Sequence, residues 1–150
     1  MRIVVQRVKK ASVSVGNNLS GEIEKGLLVF LGVGKVDTEE DVHWLSKKLM
    51  NLRIFNDLEG KMNLSLLDVK GEVLMISQFT LYASTKKGNR PSFIKSADPV
   101  LGEKLYNYFI QYLKKEYKLS IASGIFGAMM DVDLINDGPV TIIMDSKNKE

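Results

Sequence analysis

Two stretches of this chain are apolar at consecutive positions rather than at every second one. Leu27-Leu28-Val29-Phe30-Leu31 continues through Gly32 to Val33, and Val73-Leu74-Met75-Ile76 lies inside the segment Glu72–Phe79. A strand with one wet face alternates, so a continuous run belongs to a strand buried on both faces. A sheet containing such strands needs apolar material against each side. A chain of 150 residues can supply it, since a domain of that size buries roughly 68–70% of its unfolded surface.

The remaining segments say what that material is. Positions 2–8 are β-rich, and Ala11-Ser12-Val13-Ser14-Val15 alternates with period two. Gly16-Asn17-Asn18 supplies a turn, and Gly21–Lys25 is the return strand. Thr38 caps a helix, with Asp41 three residues on and Glu39 and Glu40 in the first turn, where the helix dipole favours negative charge. Val42, Leu45, Leu49 and Leu52 form its apolar face. Arg53-Ile54-Phe55 leaves the helix, and 56–60 is rich in turn formers. Asp98 caps a second helix, with Pro99 at its first position. Leu101, Leu105, Phe109 and Leu113 are its apolar face, and Lys114, Lys115 and Lys118 lie toward its C-terminus. Strands are predicted over Ile121–Phe126, Met130–Leu134 and Val140–Met144, the last two joined by a turn at Asn136-Asp137-Gly138. This order predicts a mixed α+β or α/β fold. It is a sheet rolled toward a β-barrel with two packed helices, in a single domain spanning 1–150.

Several chemistries are disfavoured by composition. The chain has no cysteine, which removes disulfides, thiolate metal sites and cysteine nucleophiles together. The single histidine, His43, lies off the apolar face of the first helix and reads as solvent-facing. One histidine without cysteine makes a zinc site improbable, and no G-x-S-x-G elbow is present. Gly32-Val33-Gly34-Lys35 lacks the spacing of a phosphate loop and reads as a strand-to-loop turn. The N-terminus carries Arg2, Gln6, Arg7, Lys9 and Lys10, which leaves no apolar core for a signal peptide. No stretch reaches the ~20 apolar residues of a membrane span, so a cytoplasmic location is expected. The net charge of +3 fits contact with a nucleic-acid end and equally fits a solvated, lysine-rich surface.

Two segments remain as candidates. Ser77-Gln78-Phe79-Thr80-Leu81 is an abrupt polarity switch at the end of a buried strand. Buried polar groups need partners, so these side chains either cap the strand end or serve a ligand. Asn136-Asp137-Gly138-Pro139-Val140-Thr141 reads locally as a turn between strands.

Together the two segments carry a family resemblance. Ser-Gln-Phe-Thr-Leu in mid-chain with Asn-x-Gly-Pro-Val-Thr near the C-terminus resembles the motif pair of the D-aminoacyl-tRNA deacylases. The opening Met-Arg-x-Val-x-Gln-Arg-Val fits in the same order along the chain. So do Leu52-Arg53-Ile54-Phe55, Gly60-Lys61-Met62-Asn63, Ser65-Leu66, Arg90-Pro91-Ser92-Phe93 and Phe126-Gly127-Ala128-x-Met130.

The resemblance implies a homodimer of barrel-like protomers with sites at the dimer interface and no metal or cofactor. It implies hydrolysis of the ester in D-aminoacyl-tRNA, and in glycyl-tRNA mischarged on tRNA-Ala, with L-aminoacyl-tRNA rejected. It implies a cis Gly138-Pro139 bond reaching from one protomer against Ser77, Gln78, Phe79 and Thr80 of the other. Backbone N–H groups around Phe79 and Thr80 would then face the developing oxyanion. Thr80 would position the reactants in preference to attacking, since no base lies near it in sequence. The substrate's ribose hydroxyl is the alternative carrier of the chemistry. Arg7 would brace the Gly-Pro segment, against the reading of a surface strand arginine. Phe126 and Met130 would line the pocket, or simply pack the core. Lys86, Lys87 and Arg90 would meet tRNA phosphates, or form a plain solvated loop. Two rival functions remain: a non-catalytic RNA-binding domain, and a hydrolase of other D-amino-acid esters or amides.

Overall fold

A computed structural model describes residues 1–149. The described residues form eight strands and two α-helices. The strands are β1 (Arg2–Val15), β2 (Asn18–Ile23), β3 (Gly26–Gly32), β4 (Phe55–Asn56), β5 (Met62–Leu64), β6 (Glu72–Ser77), β7 (Ile121–Ser123) and β8 (Asp131–Asp145). The helices are α1 (Glu39–Asn51) and α2 (Pro99–Tyr117).

β1 is one uninterrupted strand where the sequence pattern suggests two. Its partners explain the length. β3 pairs antiparallel with its first half, from Arg2 opposite Gly32 to Val8 opposite Gly26. β2 takes over in the second half, from Ala11 opposite Ile23 to Val15 opposite Asn18. β8 pairs with β1 from Arg2 to Ser14 and so occupies the other edge. β6 adds to β3 in parallel, and β7 adds to β6 in parallel. The parallel steps require crossovers, and α1 and α2 provide them. The sheet order β2-β1-β3-β6-β7 then curls until its ends approach. The Ser20 hydroxyl on β2 donates to the Ser123 carbonyl on β7 at 3.2 Å. The result is a nearly closed, barrel-like sheet.

The two apolar runs are now accounted for. Leu27, Val29 and Leu31 of β3, with Val73 and Met75 of β6, face the helices. They pack with Val42, Leu45 and Leu49 of α1 and Leu105, Phe109 and Leu113 of α2. Leu28, Leu74 and Ile76 point to the opposite face and meet Val8, Ala11, Val13 and Ile23 inside the roll. Each residue of a run therefore serves one of two separate cores.

Three boundaries differ from the sequence expectation. β6 ends at Ser77, and Phe79–Tyr82 turns as a 3-10 helix. β7 covers only Ile121–Ser123 of the expected 121–126. Asn136-Asp137-Gly138 is not a hairpin turn, because the segments on either side both pair with β1 rather than with each other.

Both helix starts form as their sequences indicate. The Thr38 amide donates to Asp41 at 2.8 Å, and Asp98 accepts from the Leu101 amide at 3.0 Å. Asp41 does more than cap. It accepts from Ser146 Oγ at 2.6 Å and pairs with Lys147 at 2.8 Å. Ser146 in turn accepts from the Met1 ammonium, which pairs with Asp37 at 2.6 Å in full burial. Burial alone would raise the Asp41 pKa. Lys147, Ser146, the Thr38 amide and the N-terminal charge outweigh it and pull the carboxyl down to about 2. A folded-state value below the unfolded one stabilises the fold above pH ~4, and this contribution is lost as pH falls toward 2. The half-exposed Lys147 is screened, so the effect is on the order of 1–2 kcal/mol. Asp41→Asn should lower the unfolding free energy at pH 7 by about that amount and flatten the loss of stability between pH 4 and 2. Urea titrations across that range check it.

Candidate active site

In open α/β sheets ligands bind beyond the carboxyl ends of parallel strands. Here β3 and β6 end together, and a cavity of about 720 Å³ opens there. Leu31 and Val33 flank it on one side and Ile76, Ser77, Gln78, Phe79 and Thr80 on the other. Asp98, which caps α2, closes one wall with Pro99 and Gly102 of that helix, and Phe126 to Met130 close another.

The 3-10 turn is forced by what precedes it. The Gln78 amide still bonds back to the β3 carbonyl of Leu31 at 2.8 Å, so the chain stays in the sheet to that point. It then folds over, with the Leu81 amide donating to the Gln78 carbonyl at 3.2 Å and the Ala83 amide to the Thr80 carbonyl at 3.0 Å. The first amides of any helical turn have no partner within it. Here those amides belong to Phe79 and Thr80, beside the cavity. The Gln78 side-chain amide donates to Thr80 Oγ1, which leaves the Thr80 hydroxyl proton free to be donated onward.

The titratable groups lining the cavity are Asp98 and Tyr106. Asp98 is committed to its helix cap. Tyr106 is buried and donates to the Met75 carbonyl at 2.8 Å. Burial, partly offset by Ser123, pushes its hydroxyl up to about 12. The Tyr106 hydroxyl is thus held as a donor. The polar equipment is therefore hydroxyls, a side-chain amide and backbone donors, which suits orienting a water and stabilising a developing oxyanion.

Of the residues singled out from sequence, Ser77, Gln78, Phe79, Thr80, Phe126 and Met130 meet at this cavity. Lys86, Lys87 and Arg90 lie on an exposed loop outside its lining, whose ends are tied by Ser84 and Ser92. His43 is exposed on α1, 2.8 Å from the Tyr108 hydroxyl and with its ring centre 4.6 Å from that of Tyr112 of α2, tilted 34°. It joins the helices. Sequence reasoning did not name Phe93, Tyr106 or Met129 as site residues. Phe93 meets the 57%-exposed Phe79 edge-on at 5.0 Å between ring centres. Gly102 and Tyr106 stand four apart on α2, a spacing that marks a second helix face turned to the strand ends.

Arg7, Gly138 and Pro139 form a separate feature. Val8 opposes Asn136 and Gln6 opposes Thr141, so Arg7 alone on β1 faces the four residues Asp137 to Val140. The surplus residues bulge out of the sheet. Gly138 and Pro139 are exposed at its tip, outside the cavity of their own chain. The bond between them is cis, and Gly138 has φ +131°, a region that favours glycine. Arg7 is 5% exposed and sits under the bulge. Its Nε donates to the Asp137 carbonyl at 3.0 Å and lies 3.2 Å from the Asp137 carboxylate. Nη1 donates to the Ile54 carbonyl and to Asn56 Oδ1.

Rolled sheet, cavity and donor-bearing turn make a layout that a small hydrolase can use. A family model described as D-Tyr-tRNA(Tyr) deacylase matches residues 4–145. A D-aminoacyl-tRNA deacylase of Thermosipho melanesiensis is 56% identical over 98% of both chains. One of Flavobacterium johnsoniae is 53% identical over the whole of both. The chain belongs to the D-Tyr-tRNA(Tyr) deacylase family. Among solved structures, a c-Myc DNA unwinding element binding protein superposes with a TM-score of 0.90 at 41% identity, covering 97% of this chain and 98% of that one. A probable eukaryotic D-amino acid tRNA deacylase, at 18% identity and TM-score 0.80, shares the fold.

Removing the Arg7 guanidinium leaves buried acceptors without donors, each costing about 1–3 kcal/mol. Arg7→Met should destabilise the protein by roughly 3 kcal/mol in urea titrations. It should also speed amide hydrogen exchange at 137–141 more than elsewhere in β8. Uniform exchange along β8 would show that Arg7 does not hold the bulge.

Proposed function

We propose that this chain hydrolyses the ester of D-aminoacyl-tRNA, releasing the D-amino acid and tRNA. The supporting observation is a full-length family match whose motif residues Ser77 to Thr80 converge on one cavity. The aminoacyl ester enters the cavity at the strand ends. The amides of Phe79 and Thr80 stabilise the oxyanion, and Thr80 positions the reactants through its backbone. The substrate's own ribose hydroxyl assists, since the cavity's Asp98 and Tyr106 are engaged in structural hydrogen bonds. Glycyl-tRNA mischarged on tRNA-Ala is a second substrate in this reading.

Chirality sets the harder requirement. Four decades of discrimination need about 5.5 kcal/mol, and a single methylene supplies only ~1–3 kcal/mol. A rigid wall does better. In this proposal the enzyme is a cytoplasmic homodimer, and Gly138-Pro139 of one protomer stands against the cavity of the other. An L side chain would strike that wall, a D side chain would point away from it, and glycine has nothing to clash. The exposure of the bulge tip, which lies outside its own cavity's lining, supports the arrangement. Lys86, Lys87 and Arg90 meet acceptor-stem phosphates.

A second reading, nucleic-acid binding without turnover, draws on the binding role in the name of the 41%-identical structure. Deacylation of matched D-Tyr-tRNA and L-Tyr-tRNA, with EDTA present, separates the two. Rapid loss of the D-ester alone is expected. Loss of neither, with tRNA still bound, favours the binding reading. Thr80→Ala should keep most of kcat, and a trapped acyl-Thr80 species would instead make Thr80 the nucleophile. Lys86→Ala with Lys87→Ala should weaken tRNA binding and reduce its salt slope by about 1 per lost phosphate contact. An unchanged slope removes these lysines from the interface.

A further inference from the structure

Gly32-Val33-Gly34-Lys35 is not a phosphate loop, and the proposed reaction gives it no task. In the fold its two glycines form the seat of the 3-10 turn. A Cβ on Gly32 would stand 3.0 Å from both the Gln78 carbonyl oxygen and Leu81 Cβ. A Cβ on Gly34 would stand 2.7 Å from the Tyr82 hydroxyl. The turn Phe79–Tyr82 is thus pressed onto backbone that only glycine leaves clear.

Two side chains fasten it there. Arg2 donates Nη1 to the Leu81 carbonyl at 3.0 Å and Nε to Asp145 at 2.7 Å. Its guanidinium carbon lies 4.7 Å over the Tyr82 ring. Tyr82 is buried and donates its hydroxyl to Asp37 Oδ2 at 3.3 Å. Asp37 is itself fixed, accepting from the Gly34 amide at 2.6 Å and pairing with the Met1 ammonium. Burial, with Asp37 and Asp145 nearby, raises the Tyr82 pKa, so the phenol remains a donor. Neither Arg2 nor Tyr82 lines the cavity. Their effect on a reaction there must pass through the turn.

We propose that Arg2 and Tyr82 are positioning residues. They hold the rear of the turn Phe79–Tyr82 so that the amides of Phe79 and Thr80 stay aimed into the cavity. The proposal rests on the deacylase reading, in which those amides meet the oxyanion. Fixed donors stabilise a transition state because they need no reorganisation as charge develops. A loosened turn would still admit substrate but would have to reorder during the reaction. The loss should therefore fall on the chemical step and leave binding intact.

The test is single-turnover deacylation of D-Tyr-tRNA, with nitrogen-15 amide spectra and Tm for each variant. Arg2→Met should lower the saturating rate about tenfold, with the half-saturating enzyme concentration within twofold of wild type. Arg2→Lys keeps one of the two hydrogen bonds and should recover part of the rate. Tyr82→Phe deletes one oxygen and should cost about threefold. The Phe79 and Thr80 amide resonances should move in each variant. Saturating rates within twofold of wild type for both Arg2→Met and Tyr82→Phe overturn the proposal. So does a slow variant in which those two resonances stay in place. If Arg2→Met does not fold, Tyr82→Phe decides alone. A wild-type protein that leaves D-Tyr-tRNA intact would sink the deacylase reading instead, and the amide shifts would still report whether Arg2 and Tyr82 hold the turn.

Discussion

Backbone hydrogen bonding along β1 is the constraint on which the rest of the structure depends. A strand flanked by neighbours on both edges cannot leave its amides to water, so partners must run along its length. β3 and β2 divide one edge and β8 fills the other. β2 and β3 follow each other along the same edge, and the chain bends between them at Glu24 and Lys25. That bend lets β2 swing toward β7 and roll the sheet. The roll makes the inner core, and the parallel additions to β3 leave the outer face for two helices. Cavity, turn and bulge are all placed by this one strand and its partners.

Much of this was legible in the sequence because it rests on local physics. Thr38 and Asp98 announce their helices through capping geometry that a few residues determine. The run Leu27–Leu31 could be recognised as doubly buried because no polar residue interrupts it. The failures are long-range. Nothing in Asn136-Asp137-Gly138-Pro139 states that the flanking segments pair with β1 rather than with each other. A turn and a bulge share the same residue preferences, and only the partner strand distinguishes them. Likewise Ser77-Gln78-Phe79 reads as continued strand by composition. The chain leaves the sheet there because β3 runs out of partners at its own end.

The site followed the same division. Ser77 to Thr80 could be found because polar residues after a buried strand need a reason. Phe126 and Met130 were ambiguous between pocket and core, and the fold makes them partly both. Met130 lines the cavity and also packs against the inner core. Phe93 entered only within the segment Arg90-Pro91-Ser92-Phe93, and Tyr106 gave no signal, because an aromatic residue beside a helix's apolar stripe is ordinary. Arg7 is the instructive intermediate. It continues the buried face of Ile3 and Val5 on β1, and its guanidinium is matched by acceptors from two separate segments, 54–56 and Asp137.

The division of each apolar run between two cores has a further consequence. Leu28 and Val29 are covalent neighbours, yet they pack in different compartments. Energetic coupling between residues depends on shared contacts rather than on adjacency in the chain. The sheet therefore works as a partition wall. A volume change in one compartment would have to be compensated by other residues of that compartment, at positions two or more apart in the strand. The protein thus evolves, and can be redesigned, as two weakly linked packing problems written in alternate letters of the same line.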